Sequence, residues 1–230
     1  MKNKWTTELV KSYMEPHRNE ENALPMAKYM KNHFPFLGIK TPERRVIFRS
    51  LLNELELPPE ESLQDEVWSL YQQDEREYHY VAIELLSNFQ KKLTTKDLSF
   101  CQKLIENKSW WDSVDSIGPN IVGRIVKSNR SEGEAVMMEW AKSPNMWTNR
   151  ASILHQLKYK KETNEALLFA TIERHSNSKE FFVQKAIGWV LREYAKTNPE
   201  IVREFVGNTH LAPLSKREAL KHLKKGETVT

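Results

Sequence analysis

Apolar residues recur along this chain at intervals of three and four, in short runs separated by polar turns, which is the period of amphipathic helices. One set of helices is predicted over residues 9–14, 23–34, 61–71, 98–106, 132–141, 166–175 and 199–206. A second set opens at residues whose side-chain oxygens suit a helix N-cap: Thr41, Asp74, Ser109, Asn145, Ser178 and Ser215. The steps between these caps are 33, 35, 36, 33 and 37 residues. Glu77 and Glu218 follow Asp74 and Ser215 in capping-box spacing, and Pro42 follows Thr41 at the favoured first helical position. A second ruler runs beside the first. Tyr78, Trp111, Trp147 and Phe182 are aromatics at steps of 33, 36 and 35, and four residues after each come Ala82, Asp115, Ala151 and Ala186. A unit of about 35 residues holds two short helices, the arrangement of an α-solenoid. The tetratricopeptide consensus is not evident, so the predicted fold is all-α, with HEAT-like helical repeats forming one curved superhelical domain over residues 1–230. Polar turns are expected at 91–95 and 159–164, and a disordered tail at 226–230.

Composition agrees with ordered helices: 39% of residues are hydrophobic, 29% are charged and only seven are glycine. A chain of 230 residues buries a sizeable core without staples. Its one cysteine, Cys101, cannot form an internal disulfide, and the first residues lack the apolar core of a signal peptide. No stretch reaches the roughly 18 to 20 apolar residues that span a bilayer. A soluble, cytoplasmic protein with no membrane contact is therefore expected. Lys and Arg number 35 against 31 acids, a net +4 that permits a polyanionic partner without demanding one.

The carboxylate in the second ruler calls for explanation, because alanine at a recurrent helix position lets neighbouring helices approach. Trp111 and Asp115 lie one turn apart on one helical face. Arg150 falls three residues after Trp147, and Lys185 and Trp189 fall three and seven after Phe182. Stacking is expected to align Trp111, Asp115, Arg150, Lys185 and Trp189 along one concave surface. The alternative is that Asp115 simply pairs with a neighbouring arginine or a helix N-terminus while Trp111 fills core; the spacing does not choose. Gly188, beside Trp189, marks either a close backbone approach or core packing.

Basic residues gather near the second helices: Arg44, Arg45, Arg124, Lys127, Lys158, Lys160, Lys161, Lys179, Lys185, Arg192, Lys216 and Arg217. Any one lysine reads more simply as a solvated surface group. As a set with aromatics among them they suit a phosphate backbone, with Lys158, Lys185 and Arg192 as candidate DNA contacts. There is no cysteine cluster, His-x-x-x-His pair, glycine-rich phosphate loop or Gly-x-Ser-x-Gly elbow, so neither a metal nor a nucleotide cofactor is implied.

Four segments, 26–34 (MAKYMKNHF), 41–45 (TPERR), 108–117 (KSWWDSVDSI) and 178–199 (SKEFFVQKAIGWVLREYAKTNP), together resemble the AlkD family of bacterial DNA glycosylases, which excise alkylated purines using HEAT-like repeats. The resemblance implies that Asp115 is the catalytic carboxylate and that Trp111 and Trp189 contact the sugar and backbone of the lesion nucleotide. It implies further that Arg150 holds the DNA backbone nearby, that Tyr29 lies in the same cleft, and that Thr41 and Arg45 grip the duplex from a helix end. The partner would be double-stranded DNA carrying 3-methyladenine or 7-methylguanine, attacked by a monomer without a cofactor and with the lesion left stacked. Purines alkylated at position three or seven are already cationic, so the base leaves neutral and positive charge develops on the sugar, where a carboxylate and indole faces stabilise it. The competing reading is a non-enzymatic repeat scaffold that binds DNA or protein through the same face.

Overall fold

Helices open at residues 41, 76, 111, 146 and 181, starts spaced 35 residues apart. The structure, a computed structural model, describes residues 2–223. It is all-α in class, and the chain forms two compact units, Met1–Lys91 and Lys92–Thr230.

The first unit contains α1 (Thr7–Met14), α2 (Glu20–Tyr29), α3 (Thr41–Glu54), α4 (Glu60–Tyr71) and α5 (Arg76–Asn88). Its only strands among the described residues, β1 (Asn3–Lys4) and β2 (Leu55–Glu56), pair in parallel and are too short to leave an alternating pattern in the sequence. Thr6 and Asn19 cap α1 and α2, their side chains accepting from the Leu9 and Asn22 N–H groups. α2 stops at Tyr29 and not at 34, because Lys31 and Asn32 take φ of 57° and 58°, a left-handed backbone that a helix cannot continue. At α5 the expected capping box is absent: the helix begins at Arg76 with Glu75 at the N-cap. Glu77 turns inward instead, where it is fully buried and accepts from the backbone N–H groups of Leu37, Gly38 and Ile39 at 2.9, 2.9 and 3.0 Å. Gly38 has φ 89°, and a Cβ there would stand 1.9 Å from the Asn19 carbonyl oxygen, so the chain can make this turn only with glycine. Beside Glu77 the buried Arg76 guanidinium lies 3.9 Å over the Phe34 ring and donates to His79 Nδ1 at 2.9 Å. The segment between α2 and α3 is thereby fastened to α5 by partnered charge.

The second unit contains α6 (Leu98–Glu106), α7 (Trp111–Ile117), α8 (Gly123–Ser128), α9 (Arg130–Trp140), α10 (Met146–Leu154), α11 (Glu165–Arg174), α12 (Phe181–Tyr194), α13 (Pro199–Asn208) and α14 (Pro213–Ala219). Its core joins Leu154, Ile172, Ile187, Leu191, Val202 and Val206, each worth about 1.5–3 kcal/mol of apolar burial. α7 and α8 are separated by a π-type turn at Gly118–Val122. Pro119 has no N–H to give the Asp115 carbonyl, so an unbroken α-helix cannot pass through this point.

Of the six expected caps, Asn145 alone serves as one, accepting from Trp147 and Thr148 N–H at 2.9 and 3.4 Å. Ser109 reaches back to the Ile105 carbonyl, Ser178 accepts from Glu180 N–H ahead of α12, and Ser215 sits inside α14 and donates to the Gln184 carbonyl. Asn164 and Asn198 cap α11 and α13, which sequence reading had opened one residue from or at their true starts. The expected turns carry short 3-10 segments at Thr95–Asp97 and Lys160–Glu162, and the expected tail at 226–230 lies outside the described residues. Among the described residues no helix is long and apolar enough to cross a membrane.

Candidate functional site

Because five helices open at the same spacing, their fifth residues form a row with that spacing: Arg45, Tyr80, Asp115, Arg150 and Lys185. Asp115 is therefore not the counterpart of the alanines. Ala151 and Ala186 are sixth in their helices, and the sixth residue of α7 is Ser116. The aromatic ruler slipped because Trp111 is first in α7, whereas Trp147 and Phe182 are second in α10 and α12. The residue that joins them is Trp110, whose ring centroid lies 5.7 Å from Trp147 and 5.1 Å from Phe182, with those two 4.9 Å apart. This cluster ties together the N-terminal ends of three helices and leaves Trp111 half-buried.

Within the second unit, two of these fifth residues meet. Arg150 donates from Nε and Nη2 to the two Asp115 oxygens at 2.7 and 2.8 Å, and from Nη1 to the Phe182 carbonyl. The Arg150 residue is 4% exposed, while the Asp115 side chain keeps 16% of its surface open. Burial pushes the Asp115 carboxyl above its ordinary value and nearby Asp112 adds to this; the hydrogen bonds and charge of Arg150 oppose both. Two N–H donors gripping both oxygens favour the acceptor-only form of the carboxyl. Each oxygen keeps a further lone-pair direction for a partner outside the pair. The fork is of the kind expected if Asp115 simply pairs with a neighbouring arginine, and Arg150 is spent on carboxylate and carbonyl, not displayed on the surface.

On α12, Lys185 and Arg192 flank Trp189 at helical spacing and converge on Glu218 of α14, at 3.2 Å and 2.6 Å. The hydrogen bond from Arg192 and then that from Lys185 hold the Glu218 carboxyl below its usual value. Gly188 explains the convergence: a Cβ at this position would stand 2.4 Å from Glu218 Cβ and 3.0 Å from the Ser215 carbonyl oxygen. The glycine thus marks a close backbone approach. Trp189 itself is half-buried and packs against the core of the second unit. Lys158 is exposed, with Nζ hydrogen-bonded to Asn120 Oδ1. In the first unit Tyr29 is 70% exposed, and Thr41 and Arg45 are exposed at the start of α3.

Sequence reading missed Trp110, Asn120 and Glu218 as members of this arrangement. The adjacent tryptophans left open which one packs, and Glu218 was assigned to a cap. The helix-start spacing of 35 was the signal that would have placed the row. Among the described residues no group of three or more His, Cys, Asp or Glu side chains is placed to share a metal ion.

No curated protein sequence matches the chain significantly. Two Streptococcus mutans crystal structures share its fold: AlkD2, 20% identical over 77% of this chain and 89% of its own with a TM-score of 0.61, and smu.31, 18% identical over 93% and 98% with a TM-score of 0.62. More similar is a structure described as a predicted DNA alkylation repair enzyme from Enterococcus faecalis, 37% identical over 91% of this chain and 98% of its own, with a TM-score of 0.85. The family profile described as DNA alkylation repair enzyme matches residues 10–223, a span that includes both units' helix rows and the Asp115–Arg150 pair, and the chain belongs to that family.

Proposed function

We propose that this chain is a monofunctional DNA glycosylase that releases cationic alkylated purines, 3-methyladenine and 7-methylguanine, from duplex DNA. The observation that carries the reading is a carboxylate fixed by a buried arginine, partly open to solvent, one helical turn from a half-buried tryptophan. As the C1′–N bond breaks, the bonding electrons leave with the base, which becomes neutral, and positive charge spreads over the sugar. Asp115 faces that charge with a side chain already oriented, so little reorganisation accompanies the transition state. A free lone pair on Asp115 holds the water that adds to C1′, and the water's proton passes to solvent. Trp111 and Trp189 supply aromatic faces for the cationic sugar. Arg150 positions Asp115. The purine needs no protein acid to depart, and the resemblance to the AlkD family implies that the protein works from the sugar-phosphate side with the base left in the stack.

The test is single-turnover release of free base from a duplex carrying one 7-methylguanine. Asp115→Asn keeps the shape and one acceptor for Arg150, and its rate is expected to fall by about 10²–10³-fold, the scale of removing one preorganised electrostatic contact. Equal rates in folded wild type and variant overturn the catalytic role. The same fork also suits a structural ion pair in a binding-only repeat protein. That second reading requires duplex binding without base release by either form.

A further inference from the structure

Beyond the Asp115 site, five lysines from three separate stretches of the second unit line one open cavity of about 570 Å³: Lys127 at the end of α8, Lys158, Lys160 and Lys161 between α10 and α11, and Lys196 after α12. We infer that this cup is a second anchor for the duplex, gripping backbone phosphates a short distance from the lesion; the choice of duplex DNA as occupant rests on the proposed function.

Charge makes the first argument. Among the described residues the cup holds five cations against one lining acid, Glu162, which already bonds Lys127 at 2.6 Å and also faces Arg130 at 4.0 Å, while Lys196 pairs at 2.6 Å with Glu193 of α12. Cations at helix C-termini are ordinary partners of the helix dipole, and that accounts for Lys127 and Lys196. It does not account for Lys160 and Lys161, which belong to a 3-10 turn and make no ion pair among the described residues. Lys160 is held at φ 53°, a backbone region that L side chains seldom adopt. The turn is also anchored: Tyr159 is 5% exposed, donates its hydroxyl to the Gly123 carbonyl, and lies beneath Arg130 and Lys127 at 5.3 and 5.8 Å from its ring centre. A rigid floor with cations on its rim suits phosphates, which fix register without reading sequence.

Position makes the second argument. Lys158 meets Asn120, five residues beyond Asp115 along the same chain segment. The short segment between them brings the Lys158 side of the cup near the chain that carries Asp115. A strand presented to Asp115 continues toward the cup.

The test measures binding of undamaged duplex as a function of salt, so it is independent of base release and stands even if the glycosylase reading fails. If Lys160 and Lys161 each neutralise one phosphate, K160Q/K161Q lowers the salt slope by about 1.8, so its affinity deficit shrinks about tenfold between 50 and 200 mM salt. The pair K96Q/K142Q, outside the cup, serves as the control. An unchanged slope in K160Q/K161Q, or an equal change in the control, overturns the assignment. A second arm reads acetylation of Lys160 and Lys161: protection by duplex but not by inorganic phosphate supports a backbone site, and protection by inorganic phosphate alone overturns it.

Discussion

Replacing Arg150 by methionine keeps the length and packing of the stem while deleting every N–H donor of the guanidinium. Two of those donors hold Asp115 at 2.7 and 2.8 Å and a third holds the Phe182 carbonyl, in a residue only 4% exposed. Breaking a buried ion pair from one side costs about 3–5 kcal/mol, because the partner is left charged and uncompensated. Asp115 keeps 16% of its side chain open to water, which places the expectation near 3 kcal/mol. That is a large share of an ordinary stability of about 5–15 kcal/mol, and with a urea m-value near 3 kcal/mol/M it lowers the unfolding midpoint by about 1 M. The deficit also carries a pH signature. Without Arg150 only the raising influences on Asp115 remain, burial and Asp112. A carboxyl whose folded pKa is raised costs stability above that pKa and recovers it on protonation. The difference between variant and wild type should therefore shrink as pH falls from 7.5 to 4.5. Urea unfolding followed by tryptophan fluorescence at both pH values measures it. A deficit below about 1 kcal/mol at pH 7.5, or one equal at both, refutes the buried-pair argument.

Two further outcomes follow from the second unit. Gly188→Ala gains about 1 kcal/mol of helix propensity but forces Glu218 Cβ from 2.4 Å, so a net loss of about 1–2 kcal/mol is expected in urea unfolding, and a variant as stable as wild type removes the close-approach argument. His155 is fully enclosed, donates from Nδ1 to the Ser152 carbonyl at 2.6 Å, and has no hydrogen-bond partner at Nε2 among the described residues; burial lowers its pKa from 6.5 to about 4. The unfolded chain takes up this proton first, so the stability contributed by neutral His155 is present above about pH 6.5 and drains away as pH falls toward 4, by up to about 1.4 kcal/mol per unit. His155→Gln should show a flatter stability profile across that window, and parallel profiles would place the histidine elsewhere in the balance.

Long apolar periodicity survived the passage to structure better than end chemistry. The apolar stripes of α4, α6 and α11 were legible because burial of one face must repeat at the helical period whatever the neighbours do. Caps were legible only at Asn145, since a serine or aspartate oxygen near a helix start has other partners within reach, as Ser109 and Ser215 show. Trp110 and Trp111 were both visible as aromatics, but which indole enters the Trp147–Phe182 cluster depends on where α7 starts, a difference of one residue and about 100° of helical rotation.

The sequence by itself determined that this protein is helical and that it repeats every 35 residues or so; that an acid at 115, an arginine at 150 and tryptophans at 111 and 189 share one stripe was its expectation. Each of those readings depends only on spacing along a chain. Tertiary structure alone decided that Asp115 and Arg150 share a two-pronged contact, that Glu218 gathers Lys185 and Arg192, and that lysines far apart in sequence meet around Tyr159. The physical reason is that a charge takes whichever partner packing brings within about 3 Å, and that choice is made between helices, where no period along one chain can record it.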